Sequence, residues 1–228
     1  MNIQKTICAG VTVCGLCIGT TVAQHPVDSN YVFSQYTERV QYFQSLPRTK
    51  KAIVFLGNSL TEAGRWSDIL PGRPVINRGI SGDISYGVIA RLDEVLSHKP
   101  AKIFLMIGVN DLKRDVPPGY IIENYKRMVA RIRKDSPKTV IYLNSVLPVN
   151  PDILIEPFKA VKNEDISVLN AALKVIASEN KKTIFVDLNP VVADERGYLR
   201  NEITPDGIHL EVAAYVPLVA YLKQIKAL

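Results

Sequence analysis

The residue types that ester hydrolysis requires occur at two distant places in this sequence. Ser59 follows four apolar residues in the stretch IVFLGNSLT, and Asp206 and His209 lie three positions apart. A serine hydroxyl becomes a nucleophile when a histidine removes its proton, and the imidazole needs a carboxylate to fix its tautomer and stabilise its cation. Residues three apart can face the same side of a helical turn, so Asp206 could orient His209. These side chains could form a catalytic triad.

The tetrahedral intermediate of such a reaction also needs hydrogen-bond donors for its negative oxygen. The candidates are the backbone N–H groups of Ser59 and Gly82 and the side-chain amide of Asn110. Losing one such donor typically costs roughly 3 kcal/mol of transition-state stabilisation. Structural interpretations stay open as well: Ser59 as a helix N-cap, Gly82 as a turn glycine and Asn110 in an Asx turn. Asp206 could likewise cap the last helix.

Short apolar runs alternate with helical patterns along the chain. The predicted strands, nearly continuous in apolar character and therefore buried on both faces, cover 52–56, 74–76, 102–107, 139–147 and 183–188. Helical stripes cover 88–96, 121–132, 166–176 and 212–222, and a further amphipathic helix over 33–43 precedes the first strand. Pro217 predicts a kink or an early break in the last helix. The alternation predicts an α/β fold, a flavodoxin-like three-layer α/β/α sandwich with a five-stranded parallel sheet.

The candidate residues all follow predicted strands or directly precede the last helix. In a parallel sheet the carboxyl ends of the strands share one edge, and ligands bind there. The stretches GNS at 57–59, NRGISGD at 77–83, GVND at 108–111 and DGIH at 206–209 should therefore meet at that edge. A cap or a turn could explain each stretch separately. The order of the four stretches and their shared edge favour a hydrolytic site.

The four stretches resemble the sequence blocks of the SGNH (GDSL) hydrolase superfamily. GNSLT resembles the first block, with the nucleophile at Ser59, and GISGD resembles the second, whose glycine N–H matches Gly82. GVND resembles the third block, whose asparagine matches Asn110, and DGIH resembles the fifth, which supplies Asp206 and His209. The platelet-activating-factor acetylhydrolase-like and bacterial lysophospholipase-like branch is the most similar. The resemblance implies a flavodoxin-like sandwich and hydrolysis of esters or thioesters without metal or cofactor.

One position departs from the pattern of that superfamily. Its first block carries aspartate where this chain has Asn58. The resemblance implies that this residue supports the loop and is not the triad acid, so the chemistry should be spared. The substitution does remove a negative charge beside the nucleophile, although an amide can still donate and accept hydrogen bonds.

The first 23 residues have the features of a secretory signal peptide. Lys5 precedes an uncharged apolar run over 6–19, and Thr21-Val22-Ala23 offers small residues at a cleavage site. A retained anchor is less favoured, because the run is shorter than the roughly 20 residues of a spanning helix. We therefore expect an exported protein, periplasmic or extracellular, with no stable membrane insertion after cleavage and a single hydrolase domain over 24–228.

Composition excludes several kinds of site from the predicted domain. All three cysteines lie in the predicted signal peptide, namely Cys8, Cys14 and Cys17. The rest of the sequence therefore offers no disulfide, cysteine nucleophile or thiolate zinc site. The small residue that lipidation favours precedes none of these cysteines, which argues against a lipoprotein. The net charge of +6 is scattered, with its densest cluster, RTKK, at 48–51. We interpret that cluster as a solvated loop and as weak evidence for anionic substrates or membrane surfaces, weaker still for nucleic acid.

The sequence thus predicts a secreted serine esterase that hydrolyses short-chain esters, acetyl esters first among them, on a small molecule or a glycan. Export, the many carbohydrate deacetylases of the superfamily and the lack of a long apolar lid segment favour this substrate. Lysophospholipase and thioesterase activity remain alternatives. A nucleotide- or flavin-binding domain is disfavoured because GNSLTEAG lacks the G-x-G-x-x-G spacing. A non-catalytic glycan-binding protein is disfavoured because no triad member is missing. No nucleic-acid partner is expected, and the oligomeric state stays open.

Overall fold

A five-stranded parallel sheet forms the centre of the molecule. The computed structural model describes residues 28–228, and the predicted signal peptide lies outside the described residues. The strands are β1 (Ile53–Gly57), β2 (Val75–Gly79), β3 (Lys102–Met106), β4 (Val140–Asn144) and β5 (Thr183–Val186). They pair in the order β2-β1-β3-β4-β5, and every pair is parallel. The predicted α/β fold with its five-stranded parallel sheet is confirmed.

Helices connect the strands. They are α1 (Ser34–Ser45), α2 (Ser59–Glu62), α3 (Trp66–Ile69), α4 (Ser85–Ala90), α5 (Leu92–Ser97), α6 (Val109–Lys113), α7 (Pro118–Asp135), α8 (Asn163–Glu179), α9 (Asn189–Val192) and α10 (Tyr215–Gln224). The long helices α1, α7 and α8 match the predicted stripes. A helix after Ser59 was considered through its possible N-cap, whereas the one-turn helices α3, α6 and α9 were not predicted, because a single turn carries no period. Within residues 28–228, no helix combines the length and apolar character needed to cross a membrane.

The stripe over 88–96 does not form one helix. Helix α4 ends at Ala90 and α5 begins at Leu92, with Arg91 between them at φ −107° and ψ 11°. The Arg91 guanidinium turns inward to the buried carboxylate of Asp83. The helix is thus interrupted at the one cationic residue on an otherwise apolar face.

Pro217 does not kink the last helix. A 3₁₀ turn over Val212–Ala214 comes first, and α10 begins only at Tyr215. Pro217 therefore lies in the first turn of α10, where a backbone N–H has no intrahelical partner to lose. The predicted kink was wrong because the helix begins later than its apolar stripe.

Aromatic rings pack in a row across the central strands. Phe55, Phe104 and Tyr142 are partners in the strand register, with ring centroids 5.0 and 4.5 Å apart. Trp66 stacks on Phe55 at 3.8 Å and is buried, so it is a core residue and not a platform for substrate. Such pairs typically add about 0.5–1.5 kcal/mol beyond the area they bury. The rigid sheet fixes the carboxyl ends of its strands, which we call the carboxyl rim.

Candidate active site

Ser59 lies on the carboxyl rim where β1 turns into α2. The turn is tight at Gly57, since a Cβ there would collide with the carbonyl oxygen of Met106. The N-cap of α2 is Asn58, whose Oδ1 accepts the N–H of Leu60 at 3.1 Å. Ser59 is therefore the first helical residue, and its half-buried side chain is not needed as a cap. The interpretation of Ser59 as an N-cap is wrong, and Asn58 supports the loop as expected.

The three residues predicted as a triad form a continuous hydrogen-bonded chain. Ser59 Oγ lies 3.0 Å from His209 Nε2, and Asp206 Oδ2 lies 2.7 Å from His209 Nδ1. An ionised carboxylate can only accept, so the imidazole proton sits on Nδ1 and Nε2 accepts the serine hydroxyl. This arrangement can move a proton from the hydroxyl to the imidazole while the carboxylate stabilises the resulting cation.

The Asp206 segment is a turn and not the helical turn or helix cap considered from the sequence. Gly207 has φ +83°, and a Cβ there would approach the Asn150 carbonyl oxygen to 2.8 Å and the Leu154 Cα to 2.9 Å. The loop over 148–162 is hydrogen-bonded to this turn, with Asn150 N–H donating to Gly207 O at 2.8 Å. Glycine is required here for both its conformation and its lack of a side chain.

Hydrogen bonds favour the ionised form of the Asp206 carboxylate. Burial alone would raise its pKa, but hydrogen bonds from the His209 side chain and from the His209 and Ile208 backbone N–H groups lower it below the usual range. The negative charge opposite the imidazole is therefore kept in moderately acidic solution. The ring of Phe158 packs edge-on against the imidazole, with centroids 6.0 Å apart.

The three predicted oxyanion donors each keep an N–H group free for a ligand. Ser59 begins α2, so its N–H has no helical acceptor. Gly82 has φ +81°, and its N–H donates no hydrogen bond within the described part of the chain. The buried Asn110 uses one of its two amide hydrogens on the carbonyl oxygen of Asp83 at 2.9 Å, which leaves the other. The structure thus places all three beside the ends of β1, β2 and β3.

A buried ion pair, missed in the sequence, anchors the second of these stretches. Asp83 and Arg91 are both buried, and their carboxylate and guanidinium approach to 2.8 Å. Arg91 also donates to the carbonyl oxygens of Arg78 at 2.9 Å and Gly57 at 3.0 Å. Burial raises the pKa of Asp83, and the Arg91 charge counteracts this. The position of Arg91 within the apolar stripe over 88–96 could have indicated a buried acidic partner.

Asp111, next to Asn110 in the sequence, is a second buried carboxylate. It accepts the Ser85 N–H at 3.0 Å and the Ser85 hydroxyl at 2.5 Å, so it ties the asparagine stretch to the start of α4. No cation pairs with it among the described residues. Burial raises the pKa of Asp111 to about 7; the Ser85 hydrogen bonds oppose this and the charge of Asp83 adds to it.

Titration of Asp111 should make the protein less stable as pH rises from 4.5 to 7. The native state keeps the proton up to about pH 7, whereas the unfolded chain releases it near 3.8, so the native state binds more protons in this window. Between pH 4.5 and 7 the free energy of unfolding should fall by roughly 3 kcal/mol. Asp111→Asn should remove this pH dependence, so in urea unfolding the stability of the variant relative to the wild type should increase as pH rises. Exposed Asp115→Asn is the control. A constant difference across the range would contradict the prediction.

The start of helix α1 lies beside Gly82. The Phe33 ring comes within 3.3 Å of the position that a Cβ on Gly82 would occupy. The hydroxyl of Tyr36 donates to the carbonyl oxygen of Gly87 at 2.9 Å and so fixes the helix on α4. The sequence predicted this helix but not its contact with the site.

His98 belongs to a separate structural cluster. It lies at the C-terminal end of α5 and is buried. Its Nδ1 accepts the Thr49 N–H at 2.9 Å, and its Nε2 lies 3.0 Å from Glu94 Oε1. Of the histidines in the described range, His209 is the one at the carboxyl rim.

Residues 55–216 match the model of the GDSL-like lipase/acylhydrolase family, and the chain belongs to that family. Esterase TesA of Pseudomonas aeruginosa is 30% identical over 142 residues, which cover 61% of this chain and 63% of TesA. The chain spans less than two thirds of the length of the curated relatives it matches. These comparisons agree with the resemblance identified in the sequence.

Solved structures share the fold. A protein from Streptococcus pneumonia, provisionally described as a platelet activating factor, is 30% identical with a TM-score of 0.75, covering 83% of this chain and 90% of its own. Axe2, an acetylxylan esterase from Geobacillus stearothermophilus, has a TM-score of 0.61 at 21% identity, covering 78% of this chain and 95% of its own. At that identity, the likeness to Axe2 concerns the fold alone.

Proposed function

We propose that this protein is an exported serine esterase that cleaves short-chain carboxylic esters through Ser59, His209 and Asp206. The observation that carries the proposal is the hydrogen-bonded chain from the Ser59 hydroxyl through the imidazole to the Asp206 carboxylate. Family membership supports the same class of reaction. The predicted signal peptide supports export.

In the first half-reaction the Ser59 hydroxyl attacks the acyl carbonyl while His209 Nε2 takes its proton. The negative oxygen of the tetrahedral intermediate is held by the N–H groups of Ser59 and Gly82 and by the Asn110 amide. Such donors act most strongly when they are fixed before the reaction, and the Asp83 carbonyl fixes the Asn110 amide in this way. The alcohol leaves with the proton from His209, and the acyl group stays on the serine.

In the second half-reaction water replaces the alcohol. His209 accepts a proton from the water as it attacks the acyl-enzyme, and the same donors hold the second oxyanion. Collapse of that intermediate returns the proton to Ser59 and releases the carboxylic acid. Asp206 stays ionised throughout, and its charge compensates the imidazolium in both halves.

The acyl group is proposed to be short, acetyl in the first instance. Phe33 closes the space beside Gly82, one of the proposed oxyanion donors, so the acyl chain has little room on that side. A sugar hydroxyl is the proposed leaving group, and the fold shared with an acetylxylan esterase is compatible with it. The nucleophile and base are only partly buried, which leaves access for a bulky alcohol.

A chain-length series tests this proposal. We expect kcat/KM to fall from p-nitrophenyl acetate through butyrate to decanoate. Phe33→Ala should raise the butyrate-to-acetate ratio by about tenfold, because an added or removed methylene contact is worth roughly 1–3 kcal/mol. Exposed Val32→Ala is the matched control. A wild type that prefers decanoate would contradict the short acyl group, and an unchanged ratio in Phe33→Ala would contradict the role of this ring.

A lysophospholipid is the second candidate substrate. Ile153 and Ile155 are exposed on the loop that packs against the Asp206 turn, where they offer an apolar surface to a fatty acyl chain. Acetate release from acetylated xylo-oligosaccharides should be compared with fatty-acid release from lysophosphatidylcholine. We expect acetate release to dominate; the reverse ranking would favour the lipid.

A further inference from the structure

At the edge of the sheet opposite the site, the loops carry basic residues and no acidic ones. The loops that precede the five strands, which we call the amino edge, are 46–52, 70–74, 98–101, 136–139 and 180–182. Every one contains Lys or Arg and none contains Asp or Glu. The basic residues are Arg48, Lys50, Lys51, Arg73, Lys99, Lys138, Lys181 and Lys182. The cluster noted at 48–51 is thus one part of a charged face that the parallel topology assembles.

A groove of about 560 Å³ lies in this edge. Its lining includes the exposed lysines Lys50, Lys51, Lys99 and Lys138, with prolines between them. None of the four forms an ion pair within residues 28–228. The acidic residue of the lining, Asp135, is paired with Arg131. The groove therefore presents four positive charges that the described residues do not neutralise.

Backbone geometry disfavours lysine at three positions of the amino edge. Lys51, Lys99 and Lys182 have φ values of 55°, 48° and 55°, in the left-handed region. Glycine or asparagine adopts that conformation more readily. Lysine is therefore locally disfavoured at three positions of the same edge. Strained positions of this kind motivate a search for a function of their side chains.

The width of the charged face indicates the kind of partner. Five strands about 4.8 Å apart span roughly 19 Å, more than one small anion can contact. Flexible lysines that act as point charges suit many phosphates in varied positions. Clusters of basic residues are drawn to anionic bilayers in this way. We propose that the amino edge docks the protein peripherally on an anionic phospholipid membrane.

Docking in this manner would orient the proposed active site. A five-residue strand is about 17 Å long, so the carboxyl rim lies at least that far from the docked edge. Ser59 would then face away from the bilayer, toward esters in solution or on a neighbouring polymer. The proposal stands on the amino edge alone and does not depend on the esterase assignment.

Vesicle co-sedimentation tests the docking. The purified protein should bind vesicles of phosphatidylcholine mixed with phosphatidylglycerol, and should not bind vesicles of phosphatidylcholine alone. Binding should be lost when salt rises from 0.1 to 1 M, as the screening length falls from about 10 to about 3 Å. The quadruple variant with Lys50, Lys51, Lys99 and Lys138 changed to Gln should bind at least about tenfold more weakly.

The matched control changes the same number of charges elsewhere. Its exposed lysines, changed to Gln, are Lys126, Lys159, Lys162 and Lys174. We expect it to bind like the wild type, and far-ultraviolet circular dichroism confirms that both variants fold. Equal weakening in both variants would mean that net charge, and not the amino edge, is responsible, and would overturn the proposal. Binding to dextran sulfate with none to anionic vesicles would overturn it too and indicate an acidic polymer.

Discussion

Ser59→Ala should reduce kcat for p-nitrophenyl acetate by about 10⁴–10⁶ and leave the fold intact. Removing the nucleophile of a serine hydrolase typically has this effect, because the remaining residues act as a unit with it. In the described structure the Ser59 hydroxyl forms a single hydrogen bond, to His209. The N-cap of α2 is Asn58 and not Ser59. The urea midpoint should therefore not change. Steady-state kinetics and urea unfolding measure the two expectations.

Two further variants separate catalysis from folding. Ser67→Ala, on the exposed face of α3, is the matched control and should keep full activity. Asn110→Ala should lose about 10²–10³ in kcat, as expected for one oxyanion donor. Activity within tenfold of the wild type in Ser59→Ala would exclude the proposed nucleophile. A full loss in Ser59→Ala with no loss in Asn110→Ala would keep the triad but remove Asn110 from the oxyanion site.

Arg91→Met should destabilise the protein by about 3–5 kcal/mol. Removing one partner of a buried ion pair leaves the other charge uncompensated, which is the costly case. Here the abandoned carboxylate is Asp83, which is fully buried, and the carbonyl oxygens of Gly57 and Arg78 lose a donor as well. Because the Asp83 carbonyl also orients the Asn110 amide, kcat should fall under conditions where the variant is still folded. Urea unfolding and kinetics below the transition report both effects.

A double variant and a surface variant make this result interpretable. Asp83→Asn combined with Arg91→Met should recover part of the lost stability, since no charge is then left buried without a partner. Arg131→Met removes an arginine paired with Asp135 on an exposed helix face and should change stability little. Equal losses in Arg91→Met and Arg131→Met would mean that the buried pair is not an anchor of the loop.

The sequence predicted the sheet and the meeting of the site residues because both follow from local patterns. Buried parallel strands read as apolar runs, and residues after such strands must share one edge. The placement of Ser59, Gly82 and Asn110 at one edge follows from that rule. What the sequence could not predict is which neighbour satisfies each polar group. Asn58 and Ser59 are both good caps by type, and only the tertiary structure selects Asn58.

Contacts between distant segments were the other limit. The Arg91 side chain bonds to Asp83 and to two strand carbonyls, and the helix that periodicity alone predicts as continuous is interrupted at this residue. Phe33 lies beside Gly82, nearly fifty positions away in the sequence, and the residues around either position do not predict this contact. Helix boundaries also shifted: the apolar stripe before α10 begins in a 3₁₀ turn over Val212–Ala214, and terminal turns of this kind are the least predictable part of a helix.

The hydrogen bond from Ser59 to His209 joins residues 150 positions apart, and the Tyr215 hydroxyl donates to Leu60 O across 155. Contacts of such long sequence separation form late in folding, because a large loop must first close. Because Ser59 precedes His209 by 150 positions, the nucleophile also leaves the ribosome well before its proposed base. An incomplete chain would therefore contain a serine without its base and could not hydrolyse esters until the C-terminal segment has folded onto α2. The onset of activity would then report when folding is complete.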